Sequence, residues 1–116
     1  MIELTRERDV TVVALGPSYE SLDDDALEEM GGLVLTAAST CDPPRLVLDL
    51  SQTAFIGSMF IELLVRAWKR ISERDGTVVL CGVQPFCAEV IHVTRLDTLW
   101  EIHPTRAAAV AALAQA

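Results

Sequence analysis

Three short runs of aliphatic, β-branched residues recur along this chain: "VTVVAL" at 10–15, "RLVLDL" at 45–50 and "TVVLCGV" at 77–83. Segments with helical spacing separate them. A nearly continuous apolar run of this length suits a strand covered on both faces. Strands alternating with helices imply a largely parallel sheet, because each parallel crossover needs a long connection. "IELTRE" precedes the first run, with a turn near Arg8 and Asp9. The chain therefore opens on a hairpin whose first strand lies antiparallel at an edge.

The connecting segments carry their own signals. "GPSYESLDDD" reads as a loop that ends in a helix start, with Ser21 as a cap and Asp24 three residues on. Asp23, Asp24, Asp25 and Glu28 crowd the first turn, where the helix dipole favours negative charge. That explanation is preferred to a metal site. The helix runs to about Thr40, with Leu22, Ala26, Leu27, Met30, Val34 and Ala37 at helical spacing, until "CDPPR" stops it. Gly31 and Gly32 interrupt it, each at a cost of ~1 kcal/mol against Ala, and mark a kink or a close helix–sheet approach.

The helix over 58–75 has Phe60, Leu64, Ala67, Trp68 and Ile71 on one face, widened by Ile61 and Val65. Glu62, Arg66, Lys69, Arg70 and Glu73 line the other, with Glu62 and Arg66 in favourable i,i+4 order. "QPFCAEVIHVTRL" is a helix with Pro85 near its start, "LWEIHP" a last short strand, and "TRAAAVAALAQA" a terminal helix begun by Pro104 or Thr105. The expected fold class is α/β: a mostly parallel sheet of about five strands packed with about four helices. One domain over 1–116 is expected.

Composition narrows the function classes. Half the residues (51%) are hydrophobic but only 5% aromatic, so the core is aliphatic. A formal charge of −8 argues against nucleic acid and against an anionic membrane surface, both of which need clustered Lys and Arg. Cys41, Cys81 and Cys87 are odd in number and lack C-x-x-C spacing, so buried free thiols in a reducing compartment are expected rather than disulfides or zinc. No basic leader precedes an apolar run, and no apolar stretch reaches about 18 residues, so a cytoplasmic protein is expected.

Catalytic patterns do not assemble. Asp49 at a strand end looks like a receiver phosphoacceptor, but "VVALGPS" offers no acidic pair and the single lysine, Lys69, is mid-helix; local backbone hydrogen bonding is the preferred role. There is no glycine-rich nucleotide loop. "IGSMF" lacks the second glycine of a nucleophile elbow, and the bases on offer are His92, read as structural within an apolar helix, and His103 beside Pro104. No catalysis, cofactor or metal is expected. Ser58 remains, at the handover from strand to helix. It serves as a helix cap, worth ~1 kcal/mol. It is also a candidate phosphoacceptor, because a phosphate there would meet free backbone N–H groups and the positive end of the dipole.

"LVLDLSQTAFIGS", the helix after it, "GTVVLCGV" and "VIHVTRLDTLWEI" together resemble a STAS domain of the anti-sigma factor antagonists, over nearly the full length. In that family the serine after a conserved-pattern Asp is phosphorylated by an anti-sigma factor that is itself a kinase, and a phosphatase resets it. The resemblance implies Ser58 as the phosphoacceptor and an anti-sigma factor, serine kinase-like, as partner, with a phosphatase as a second. Gly57 stands where the family has Asp, and Met59 and Phe60 stand where it has Ser and Gly; the usual Gly-x-Leu-Asp is replaced by "LGPSYESLDDD". Gly57, Met59, Phe60 and Glu62 are candidate partner contacts, with the core the preferred place for Phe60. The alternative is an interaction module with no switch, docking through an apolar patch at the start of the Ser58 helix.

Overall fold

The computed structural model describes residues 3–15, 18–19, 24–53, 55–56 and 58–114. The opening hairpin pairs β1 (Glu3–Glu7) with β2 (Val10–Ala14), turning through Arg8, which sits in the left-handed region at φ 59°. Arg45 ion-pairs with Asp9 and ties that turn to the start of β4 (Arg45–Asp49). Next come α2 (Ser58–Ser72), β6 (Thr77–Cys81), α3 (Pro85–Val93), a short 3-10 turn (Leu96–Thr98), β7 (Ile102–His103) and α4 (Arg106–Leu113). Between β2 and β4 runs α1 (Asp24–Thr40). The sheet order is β1-β2-β4-β6-β7, with β1 antiparallel to β2 and every other pairing parallel. The predicted edge hairpin and parallel body are both present.

Strand alternation divides the core into two layers. Val13, Leu46, Leu48, Val78 and Leu80 face α1, α2 and α3, in a cluster that includes Val34, Phe60, Leu64, Ile71 and Ile91. Their neighbours Val12, Val47, Val79 and Cys81 point the other way, onto Ala109 and Val110 of α4. Burial on both faces is why the three runs read as continuously apolar. Among the described residues no helix is long and apolar enough to cross a membrane.

Four details depart from the sequence reading. Gly31 marks a helix–helix approach rather than a helix–sheet one: a Cβ there would lie 3.3 Å from Cδ1 of Leu63 on α2. Leu63, which the helical stripe did not single out, is 5% exposed because it fills that gap. The third helix ends at Val93, since the Thr94 hydroxyl donates back to the Val90 and Ile91 carbonyls and Arg95 turns left-handed at φ 61°. A two-residue parallel ribbon, β3 (Ser18–Tyr19) with β5 (Phe55–Ile56), also forms where the sequence reads as loop. Two residues are too few to show a period. Ser21 lies outside the described residues.

Candidate functional site

In a parallel sheet with helical crossovers, each helix starts beyond the carboxyl end of a strand, and that edge is where binding residues collect. Here β6 and β7 run into the loops that open α3 and α4, and β4 leads through the short β5 to α2. The loop after β4 is the one that delivers Ser58.

Asp49 anchors it. Its carboxylate is 5% exposed, and Oδ1 accepts from the Ser51 backbone N–H at 2.9 Å. That is the local role expected from the sequence. Oδ2 accepts from Arg106 Nε at 2.8 Å and lies 2.8 Å from a second guanidinium nitrogen. Arg106 also reaches Glu7 at 3.4 Å. Burial alone would raise the Asp49 pKa; the bonds from Ser51 and Arg106 outweigh it and hold the carboxyl below its usual value. A carboxylate engaged this way is a structural strut, not a phosphoacceptor.

The rest of the loop is pinned from α3. The Gln84 side chain donates to the Ser51 carbonyl at 2.8 Å, and so does not cap its own helix. The Cys87 thiol donates to the Thr53 carbonyl at 3.5 Å. Gly82 makes the return turn possible: it sits at φ 63°, and a Cβ there would come within 2.8 Å of the Ser51 Cβ. Arg106 and Gln84 went unnoticed in the sequence, and Cys87 was read there only as a buried thiol. The loop residues they hold lie 33 to 57 positions away, so no local pattern joins them.

From this support β5 leads into α2, whose first residue is Ser58. Gly57 lies outside the described residues, and Ser58 is itself helical, one place further in than the cap position the sequence reading gives it. It remains within the first turn, where backbone N–H groups have no intrahelical acceptor. Met59 follows in the helix. Phe60, named among the docking candidates, is fully buried in the core, where its ring holds the first turn of α2 down on the sheet; it is not a surface contact. Glu62 is exposed. The i,i+4 pairing of Glu62 with Arg66 is not closed among the described residues.

Elsewhere, α3 shows apolar surface. Phe86 is 49% exposed and Val93 71%, and with Val90 they line a hollow of about 270 Å³ rimmed by Glu89 and Thr94. Phe86 went unmarked in the sequence because it follows Pro85 inside a helix read as apolar.

Nucleophilic chemistry finds no support in the thiols. Burial, then the nearby Asp49 carboxylate, pushes Cys81 up to about 12, and burial also raises Cys87. Among the described residues no three His, Cys, Asp or Glu side chains gather as a metal site requires.

Comparison with known proteins gives this architecture a family. The STAS domain profile matches residues 4–109. An anti-sigma-factor antagonist (STAS) domain protein from Planctomyces limnophilus superposes with a TM-score of 0.84, 38% identity and 97% of each chain covered. BtrV of Bordetella bronchiseptica, named as a candidate anti-sigma factor antagonist, is 29% identical over 68 residues; the match spans 59% of this chain and 59% of that relative's length. SpoIIAA, a Bacillus cell fate determinant solved in its phosphorylated form, shares the fold at a TM-score of 0.70 and 16% identity, over 97% of this chain and 98% of its own. With its hairpin-edged parallel sheet, its helix-start serine and these relatives, the chain belongs to the STAS domain family, among the anti-sigma factor antagonists.

Proposed function

We propose that this chain is a non-catalytic regulatory module that docks on an anti-sigma factor through the surface at the start of α2, and that phosphorylation of Ser58 by a serine kinase activity of that partner expels it. A phosphatase returns the module to its binding form. The observation that carries this reading is the position of Ser58, first in a helix whose entry loop is pinned by Asp49, Arg106, Gln84 and Cys87. A rigid support lets a small chemical change at one residue act on a docked surface. A phosphate there adds a charge of about −1.5 to −2 and meets the free N–H groups of the first turn, so the helix tolerates it while a closely packed partner does not. That SpoIIAA exists in a phosphorylated form supports the same direction. Gly57 in place of the family's Asp removes a carboxylate from the surface the kinase reads. Met59 and Glu62 flank Ser58 as contact residues.

The test uses wild type, Ser58→Ala and Ser58→Asp against the host's purified anti-sigma factors that carry kinase domains. Ser58→Ala keeps wild-type affinity and Ser58→Asp loses about tenfold or more, equivalent to ~1.4 kcal/mol. Incubation with ATP adds one phosphate to wild type and none to Ser58→Ala, read by intact mass. Equal affinity of the two variants for every such factor would remove the switch.

A second reading keeps the docking and drops the switch. The exposed apolar side chains of Phe86 and Val93 favour it, since they offer contact area that needs no phosphate. Under that reading Met59→Asp and Phe86→Asp each weaken the anti-sigma complex while Ser58→Asp leaves it intact.

A further inference from the structure

The other end of α2 carries a feature that neither the family nor the Ser58 site accounts for. Ser39 of α1, Arg66, Lys69 and Arg70 of α2, and Glu73 and Arg74 of the turn after it line an open groove of about 460 Å³. Four of the chain's nine Lys and Arg residues face this one groove, on a molecule whose formal charge is −8. Arg74 has a structural task. Its guanidinium donates to the Ala38 and Cys41 carbonyls at 3.0 and 2.7 Å and so closes the end of α1, which has no basic residue in its own last turn. Arg70 donates to the Ser39 hydroxyl at 3.1 Å. Arg66 and Lys69 are exposed, and among the described residues no ion pair engages them.

We propose that this groove is a docking site for a short acidic peptide segment, rich in Asp and Glu, of a partner protein. The spacing of the cations selects the ligand. Arg66 and Arg70 lie ~6 Å apart along the helix axis and Arg74 sits in the turn beyond its end, a string of charges suited to carboxylates spaced along an extended chain rather than to one small anion. A guanidinium fork holds one carboxylate through both of its oxygens, and Lys69 adds a point charge between the arginines. Glu73 in the same lining opposes a dense dianion more than it opposes separated single charges. A long polyanion is disfavoured for another reason. At physiological salt the screening length is about 8 Å, so a segment seated in the groove feels mainly these cations, while a nucleic acid or a membrane would also face the acidic remainder of the surface. Ser58 lies ~18 Å from Arg70 along α2, so the groove and the phosphoacceptor end are separate surfaces on one rigid rod.

The test is a titration of the full-length, ¹⁵N-labelled chain with a blocked synthetic Glu-Ser repeat peptide in about 150 mM salt. Saturable amide shifts are expected at Ser39 and over 66–74. Arg66→Glu with Lys69→Glu should weaken binding about tenfold, and Arg6→Glu, a charge reversal at an exposed position outside the groove, should not. If the double variant disturbs amides outside the groove, Lys69→Ala replaces it, with a loss of about threefold. Absence of saturable shifts overturns the proposal, as does an equal loss in the Arg6 control. Inorganic phosphate producing the same shifts at the same concentration would make this a small-oxyanion site and overturn it too. Concentration-dependent shifts at these amides without peptide would identify a second copy, through its own acidic run, as the occupant instead.

Discussion

Asp49 shows how one residue can carry a site without taking part in chemistry. Its carboxylate is engaged by Ser51 from its own loop and by Arg106 from α4, so strand end, loop and last helix are locked at one point. Arg106→Ala leaves a nearly buried carboxylate without its cation and should cost about 1.5–3 kcal/mol in urea unfolding. The pH dependence follows in sign. Asp49 has a folded-state pKa below its ordinary 3.8, so the unfolded chain takes up its proton first as pH falls. Its contribution is complete above that ordinary value and is lost as pH drops through the lower, folded-state value. The acid limb of the stability profile should therefore be steeper in wild type than in Asp49→Asn; identical acid limbs would mean that the pair contributes nothing. The thiols give a second check. With Cys81 pushed up to about 12 and Cys87 raised by burial, neither should react with a thiol reagent at pH ~8 in the native chain, while both react once it is unfolded.

Neighbouring glycines separate two effects at the scale of an element. Gly31 faces Leu63 where α1 crosses α2, and Gly32 faces open space. Gly31→Val forces the helices apart and should destabilise by about 1–3 kcal/mol, the usual cost of overpacking. Gly32→Ala adds a methyl group that meets nothing and should stabilise by about 0.5–1 kcal/mol through helix propensity alone. Denaturant midpoints moving in opposite directions would establish the packing face of α1; shifts of the same sign would refute it. The α2 helix shows the complementary pattern. Its inner face, with Phe60, Leu63, Leu64, Ala67 and Ile71, is fixed by burial, which leaves its two ends free to differ in chemistry: serine at one, a basic groove at the other.

For the whole molecule, the layering predicts a gradient of protection. β4 is paired on both sides and covered on both faces, whereas β1 is an edge strand with Leu4 62% exposed and β7 has two residues. Amide hydrogen exchange should be slowest in β4 and β6 and fastest in β1 and β7; equal protection across the sheet would contradict this order. The same gradient explains what could be read from the chain in advance. The three central strands, the helices that cover them and the edge hairpin were legible because hydrophobic period is a local property, written within five to ten neighbouring residues. Ser58 at a strand-to-helix handover was legible for the same reason. The sequence by itself determined the order of elements and the inner face of each. Only the tertiary structure decided which of those elements meet at a point. It brought Arg106 to Asp49 across 57 positions, Gln84 to Ser51 across 33, and the cations of α2 and the turn after it to the end of α1. Those meetings depend on how packed layers align distant side chains, and a linear pattern holds no record of that distance.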